Sequence, residues 1–140
     1  MDSRKRAIMA FIILVSKSKH AVGIYEKTKS EYFNIVRVGP TDSPTIRILD
    51  ADSISNIHGN MPLFFDSLTN SYFKIIRKSD GRYVCFDSHS NTYAAALKNL
   101  DTIVVYDMQL RKTFVYSLKT DKDDSQTIND KVLTNSREYV

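Results

Sequence analysis

The sequence predicts an all-β protein of the β-trefoil type, on three observations. Short β-branched and aromatic runs follow one another at spacings of about 8–12 residues, with turn residues between them. An apolar run that ends in an aromatic residue and an acid recurs about every 40 residues, at Tyr25-Glu26, Phe65-Asp66 and Tyr106-Asp107. In the first two copies a further apolar run closes on Asp50 or Asp87. Three four-stranded repeats of about 40 residues around a common axis would form a β-trefoil.

The expected strands follow in chain order and cover residues 11–15, 21–25, 32–38, 45–49, 63–65, 72–76, 83–86, 103–106 and 114–118. The dipeptide Asp80-Gly81 predicts a tight hairpin between two of them. Residues 52–58, stopped by Gly59, have the signals of a short helix. Residues 91–100 also have helix propensity and an Asn cap, although the repeat predicts a strand near 92–95. A helix over residues 91–100 would make the chain a small α+β domain, and that alternative stays open.

The predicted domain organisation is an N-terminal segment, residues 1–20, followed by a single domain over residues 21–140. The segment has a basic head, Arg4-Lys5-Arg6, and then an apolar run that is too short to span a bilayer. This pattern fits a secretory signal peptide or a buried first strand over residues 11–15. A secreted protein is therefore one expectation for localisation, and a cytoplasmic protein is the other.

Composition and charge limit the classes of function. At 140 residues, with 42% apolar and 26% charged residues, the chain has the size and make-up of one globular domain. Residues 1–20 hold the whole net charge of +4, so the rest is neutral and a nucleic-acid partner is not favoured. The single cysteine, Cys85, excludes an internal disulfide framework and lies in an apolar strand, where we expect it inside the barrel.

No pattern of catalytic or metal-binding residues stands out. The three histidines, His20, His58 and His89, have no second ligand at metal spacing, so we expect no metal and no cofactor. No motif places a nucleophile beside a base, so we expect the protein not to be an enzyme. Two interpretations of the recurring acids Glu26, Asp66 and Asp107 are open: a symmetric ring, or hairpin turns that each acid begins through an Asx-type hydrogen bond. The second is favoured.

Residues 75–117 carry a resemblance to a known family. The run Gly81-Arg-Tyr-Val-Cys85-Phe, after an Ile-Arg strand and before a polar turn, is similar to the Gly-x-Tyr-Leu-Cys-Met segment of fibroblast growth factors. The similarity continues through Ile103-Val-Val-Tyr-Asp to Phe114-Val-Tyr116-Ser. The resemblance implies the β-trefoil fold of that family.

The resemblance also implies a function, that of a growth-factor-like ligand that binds a cell-surface receptor and signals by protein–protein contact. It places the receptor contact at Tyr116, with Phe114 where the family has an asparagine. The family's heparan sulfate site would include Lys112, Lys119 and Lys122, but nearby aspartates predict weak affinity for a polyanion. The alternative is an intracellular protein- or nucleic-acid-binding module without receptor activity. The identity of the partner and the oligomeric state stay open.

Overall fold

The computed structural model describes residues 1–15, 21–40 and 42–120, and in them one α-helix is followed by eleven β-strands. The helix, α1, spans Ser3–Val15. The strands are β1 (Gly23–Glu26), β2 (Glu31–Phe33), β3 (Ile35–Val38), β4 (Ile46–Asp50), β5 (Ser55–Asn60), β6 (Leu63–Asp66), β7 (Ser71–Arg77), β8 (Tyr83–Asp87), β9 (Thr92–Asn99), β10 (Thr102–Asp107) and β11 (Lys112–Lys119). The all-β class that the sequence predicts is confirmed.

All eleven strands belong to one antiparallel sheet, in the spatial order β2, β1, β11, β10, β9, β8, β7, β6, β5, β4, β3. Only Asn34 separates β2 from β3, yet β2 pairs with β1 and β3 pairs with β4. The two ends of the sheet therefore meet on one bent segment, residues 31–38. As a result the sheet is nearly closed into a barrel, which leaves little unpaired strand edge.

This topology does not confirm the β-trefoil. Successive hairpins follow one another in a single meander, and the described chain does not divide into three four-stranded units. The 40-residue period spans two hairpins, because Asp50 lies between Glu26 and Asp66, and Asp87 lies between Asp66 and Asp107. The repeating unit is thus one hairpin of about 20 residues that closes on an acid.

Residues 3–15 of the N-terminal segment form a helix, so the predicted strand over residues 11–15 is wrong. Asp2 caps this helix, because its Oδ1 accepts a hydrogen bond of 2.7 Å from the backbone N–H of Lys5. Every residue from Lys5 to Val15 is buried. A helix enclosed on all sides has no polar stripe, and its short apolar run therefore matches the pattern of a strand or a signal peptide.

The inward side chains of the barrel pack on α1 and form one core. The helix lies closest to β1, β9, β10 and β11. Ala94 and Ala96 of β9 are buried there, and their small side chains allow a close approach of the helix. Phe64 and Phe73 stack with ring centroids 5.5 Å apart on neighbouring strands. Cys85 is 1% exposed, which confirms its predicted place inside the barrel.

Three local predictions are decided by the strands. Residues 92–99 form β9, so the chain is not the alternative α+β domain. Residues 52–58 are not helical, because β5 begins at Ser55. The hairpin at Asp80-Gly81 is confirmed: β7 pairs with β8, and Gly81 has a φ of 89° in the connecting turn. Within the described residues, no helix is long and apolar enough to cross a membrane.

Candidate functional site: the acid ring and the outer wall

Five hairpins turn at the same end of the barrel, each directly after a buried acid. We call these side chains the acid ring: Glu26, Asp50, Asp66, Asp87 and Asp107. Each turn has four residues and ends on a residue in the left-handed conformation, namely Ser30, Ile54, Asn70, Asn91 and Arg111. Asparagine tolerates this conformation well, whereas a β-branched isoleucine does not. The turn at Ile54 is therefore the one that departs from favourable turn chemistry.

The carboxylates of the ring hold these turns together. The Asp66 carboxylate accepts a hydrogen bond of 3.1 Å from the backbone N–H of Leu68. Asp107 accepts one of 3.0 Å from Gln109, and Glu26 accepts one of 3.0 Å from Lys29. The predicted Asx-type role of the repeated acids is therefore confirmed for the two aspartates, with a longer-range version at the glutamate. Asp50 and Asp87 likewise accept a hydrogen bond from the backbone N–H two residues further on. A period of 40 residues does not show that these two acids are equivalent to the other three.

Three successive cations in the first turn of α1 pair with four of the five ring carboxylates. Arg4 donates to Asp50 at 2.6 Å and to Asp66 at 2.7 Å. The Lys5 ammonium lies 2.8 Å from Asp66 and 3.5 Å from Asp87. Arg6 donates to Asp107 at 2.9 Å, and its guanidinium also lies 3.9 Å from the centroid of the Phe114 ring. Cations at a helix N-terminus oppose the helix dipole, so the ring is what makes this arrangement stable.

Protonation equilibria at the ring follow from these contacts. Burial acts to raise the pKa of Asp66, but hydrogen bonds from Arg4 and Lys5 outweigh it and hold that pKa well below its ordinary value. Burial likewise acts to lower the pKa of Arg4, and its hydrogen bonds to Asp66 and Asp50 outweigh that effect and raise it. The Asp66 carboxylate therefore stays charged at neutral pH.

The acid ring and the three cations of α1 together form a structural contact, which we call the latch, between the helix and the hairpins. Its aspartates are buried, and those at positions 50, 66, 87 and 107 each lie within 3.5 Å of a cation of α1. In the part of the chain that the structure describes, no group of three or more His, Cys, Asp or Glu side chains is placed to hold a metal ion. The ring thus joins the helix to four hairpins, and its oxygens are already used in doing so.

The residues expected to contact a receptor lie in the interior. Phe114 is 1% exposed and Tyr116 is 0% exposed, and both point toward α1. Burial raises the pKa of Tyr116 to about 12, against the opposing effect of Arg6. Because neither ring reaches the surface, the receptor-contact role implied by the resemblance does not fit these positions.

The lysines expected to bind a polyanion are not brought together. Lys112 begins β11 and Lys119 ends it, so their backbones are separated by about 23 Å. The Lys119 ammonium lies over the ring of Tyr32, 4.9 Å from its centroid. Lys122 lies outside the described residues. The described part of the predicted polyanion site is therefore two separate cations at opposite ends of one strand.

Eight of the eleven strands form two regions of the outer wall that differ in chemistry. We call one the uncharged half, formed by the outward side chains of β8, β9, β10 and of β11 as far as Ser117: Val84, Phe86, Tyr93, Ala95, Leu97, Asn99, Thr102, Val104, Tyr106, Thr113, Val115 and Ser117. We call the other the cationic half, formed by the outward side chains of β4–β7, which include Arg47 and Lys74. Every acid within the eleven strands lies on the inward side.

The sequence contains a signal for the uncharged half that the β-trefoil prediction does not use. Strands β9 and β10 are apolar on both sides, whereas a strand with one solvated face alternates between apolar and polar residues. The inward side chains pack on α1, and the outward ones remain in contact with water. Such contiguous exposed apolar surface marks sites of interaction.

No family model, curated protein or solved structure matches this chain. These comparisons therefore identify no relationship to the fibroblast growth factors.

Proposed function

We propose that this chain is a non-enzymatic module that acts by protein–protein contact, and that the uncharged half is its contact surface. The observation that supports this function is the exposure of apolar side chains there: Leu97 is 52% exposed, Tyr93 50% and Tyr106 41%. None of its twelve positions carries a charge. Depletion of charge with aromatic enrichment is the composition of the centre of a protein interface.

The dimensions of the surface suit this role. Four strands spaced about 4.8 Å apart, with five or six residues along each, cover on the order of 350 Å². A standard interface buries about 800 Å² of each partner, so the uncharged half has the size of an apolar interface centre. A groove of about 310 Å³ opens at its margin, lined by Val84, Ala95, Met108 and the turn at residues 78–82. A groove of this kind can accept an anchoring side chain of the partner.

The proposal includes the growth-factor-like activity that the resemblance implies, but it places the receptor contact on a different surface. A receptor partner would contact the uncharged half, since Phe114 and Tyr116 are buried. Leu97→Lys places a charge at the centre of the uncharged half, and Leu63→Lys is the matched control because Leu63 is 43% exposed on the cationic half. Binding to a growth-factor receptor ectodomain, measured by surface plasmon resonance, should be lost in the first variant and kept in the second. Absence of wild-type binding at micromolar concentration would defeat the receptor version.

A second experiment tests the broader function. Proximity labelling in cells that express the wild type, Leu97→Lys or Leu63→Lys would compare their neighbours. A protein labelled by the wild type and by the control, but not by Leu97→Lys, supports contact through the uncharged half. Identical labelling by all three proteins contradicts contact through the uncharged half. That result would leave the intracellular alternative, with its contact surface elsewhere on the protein.

We also propose that α1 is retained in the working protein, whether it is secreted or cytoplasmic. The helix fills the barrel, and residues 5–15 are buried against the strands. Cleavage near residues 20–22, as a signal peptide requires, would remove the centre of the core and three cations of the latch. The intact mass of protein recovered from cells and from medium tests this, because a species that lacks residues 1–20 and remains folded would contradict it.

A further inference from the structure

The cationic half carries a row of three aromatic rings, one from each of β5, β6 and β7. His58 pairs with Phe65 across the sheet, and Phe65 pairs with Tyr72. The ring centroids are 5.7 Å apart for the first pair and 5.0 Å apart for the second. Tyr72 is 54% exposed and His58 is also exposed, so the row offers ring surface to a ligand.

A groove adjoins the end of this row. It has a volume of about 360 Å³, and it is lined by Arg47, Asn56 and His58 together with Val38, Ile48 and Ile57. Of the three apolar residues, Val38 is 39% exposed, whereas Ile48 and Ile57 are each 1% exposed and face the core. Arg47 lies directly across the strand pair from His58. The guanidinium and amide groups can therefore bind the polar part of a ligand whose apolar part lies against the groove and the rings.

The charge around the row selects the kind of ligand. Arg47 and Lys74 stand on the outward side of β4 and β7, about 14 Å apart across three strand spacings. Because Arg47 is in register with Tyr72, they are also offset by about 7 Å along the strands, so their backbones are about 16 Å apart. Since all acids within the strands face inward, no carboxylate of a strand offsets these cations on the wall. A ligand that carries repeated negative charge together with planar rings is complementary to this surface.

We propose that the cationic half binds single-stranded nucleic acid. Bases stack on the exposed rings of Tyr72 and His58, and phosphates contact Arg47 and Lys74. Stacking platforms beside cations are the way in which proteins bind single strands without reading their sequence. A duplex keeps its bases stacked on each other, so it cannot use the rings. This proposal is independent of the protein contact through the uncharged half, because the two surfaces lie on different strands.

Fluorescence anisotropy with a labelled twelve-residue oligo(dT) and the matching oligo(rU) tests the proposal. We expect saturable binding, and a duplex of the same length should bind more weakly. Tyr72→Ala should weaken binding by roughly 5- to 160-fold, the range for loss of one stacked base. Tyr106→Ala is the matched control, since Tyr106 is 41% exposed on the uncharged half, and it should bind as the wild type does.

A salt titration and a competitor complete the test. Arg47→Ala should reduce the slope of log affinity against log salt by about 0.7, whereas Lys112→Ala at the far end of β11 should leave the slope unchanged. No anisotropy change up to 100 µM protein, at a salt concentration of about 50 mM, would overturn the proposal. Equal binding by the Tyr72 and Tyr106 variants, with displacement of the oligonucleotide by heparin at equal charge, would overturn it in favour of a sulfated polysaccharide.

Discussion

The guanidinium of Arg6 donates a hydrogen bond of 2.9 Å to Asp107, and both side chains are 3% exposed or less. The two residues are 101 positions apart in the chain. Arg6 also donates to the backbone oxygen of Met1 at 2.6 Å. The first turn of the helix is thus fastened to the last hairpin of the barrel by a charge pair that water does not reach.

Removal of this cation should be strongly destabilising. Within the described residues, Arg6→Ala leaves the buried carboxylate of Asp107 with only the more distant Met1 ammonium, 3.7 Å away, as a neighbouring cation. Breaking a buried pair costs about 3–5 kcal/mol, and we expect a loss at the lower end of that range. Urea denaturation at pH 7, followed by circular dichroism, measures the loss in free energy of unfolding. Lys27→Ala, in an exposed turn, should change that free energy by less than about 0.5 kcal/mol. An equal effect of both substitutions would show that the Arg6 contact does not stabilise the fold.

The stability of the protein should fall in acid because of Asp66. Its pKa in the folded protein is held below the unfolded value of about 3.9, so its contribution to stability is complete above that pH. The contribution is lost as the pH falls through about 4 toward the lower folded pKa. We expect Asp66→Asn to be less stable than the wild type at pH 7, and the difference to shrink by pH 3. Urea midpoints at pH 7, 5, 4 and 3 check this, and a constant difference would contradict it.

Replacement of Ile54 should stabilise the protein. Ile54 has a φ of 51° and is 85% exposed, so it has the strain of a left-handed β-branched residue without any gain from burial. Asn70 and Asn91 occupy the equivalent turn positions. Ile54→Asn should raise the free energy of unfolding by about 1 kcal/mol. Leu68→Asn is the control, because Leu68 is also an exposed apolar turn residue but has no positive φ, and it should have little effect.

Cys85 should resist modification in the folded protein. Burial raises the pKa of its thiol to about 12, and the side chain is 1% exposed. Thiolate is the reactive form, so a disulfide reagent at pH 8 should label native protein only as fast as the barrel opens. Labelling in 6 M urea should be immediate. Fast labelling under native conditions would show that β8 opens locally without global unfolding.

The strands were largely predictable because their chemistry is local. β-branched and aromatic runs, turn residues and the dipeptide Asp80-Gly81 give the correct class and most of the hairpins. The length of the repeat is the part that this pattern gets wrong: four of the five acids follow an aromatic residue, but Asp50 follows Leu49, so aromatic–acid pairs skip the hairpin between Glu26 and Asp66. An acid that closes every second strand is the true signal, and it is independent of the residue before it.

The helix and the acid ring could not be predicted from local patterns. Residues 7–15 are apolar throughout, because the barrel surrounds them, and a helix of this kind has no period of 3.6 residues to detect. The pairing of Arg4, Lys5 and Arg6 with the ring depends on contacts between residues 46 to 101 positions apart. The sequence pattern of the basic head fits a targeting signal, and it does not reveal that these charges pair with aspartates inside the fold.

The placement of α1 ahead of every strand has a consequence for biosynthesis. A ribosome releases the apolar helix first, long before the wall that will cover it. The seam between β1 and β11 cannot form until Lys119 has left the exit tunnel, because Gly23 pairs with that residue. During that interval the apolar residues of the helix have no strands to pack against, so the core can form only after the last strand is made.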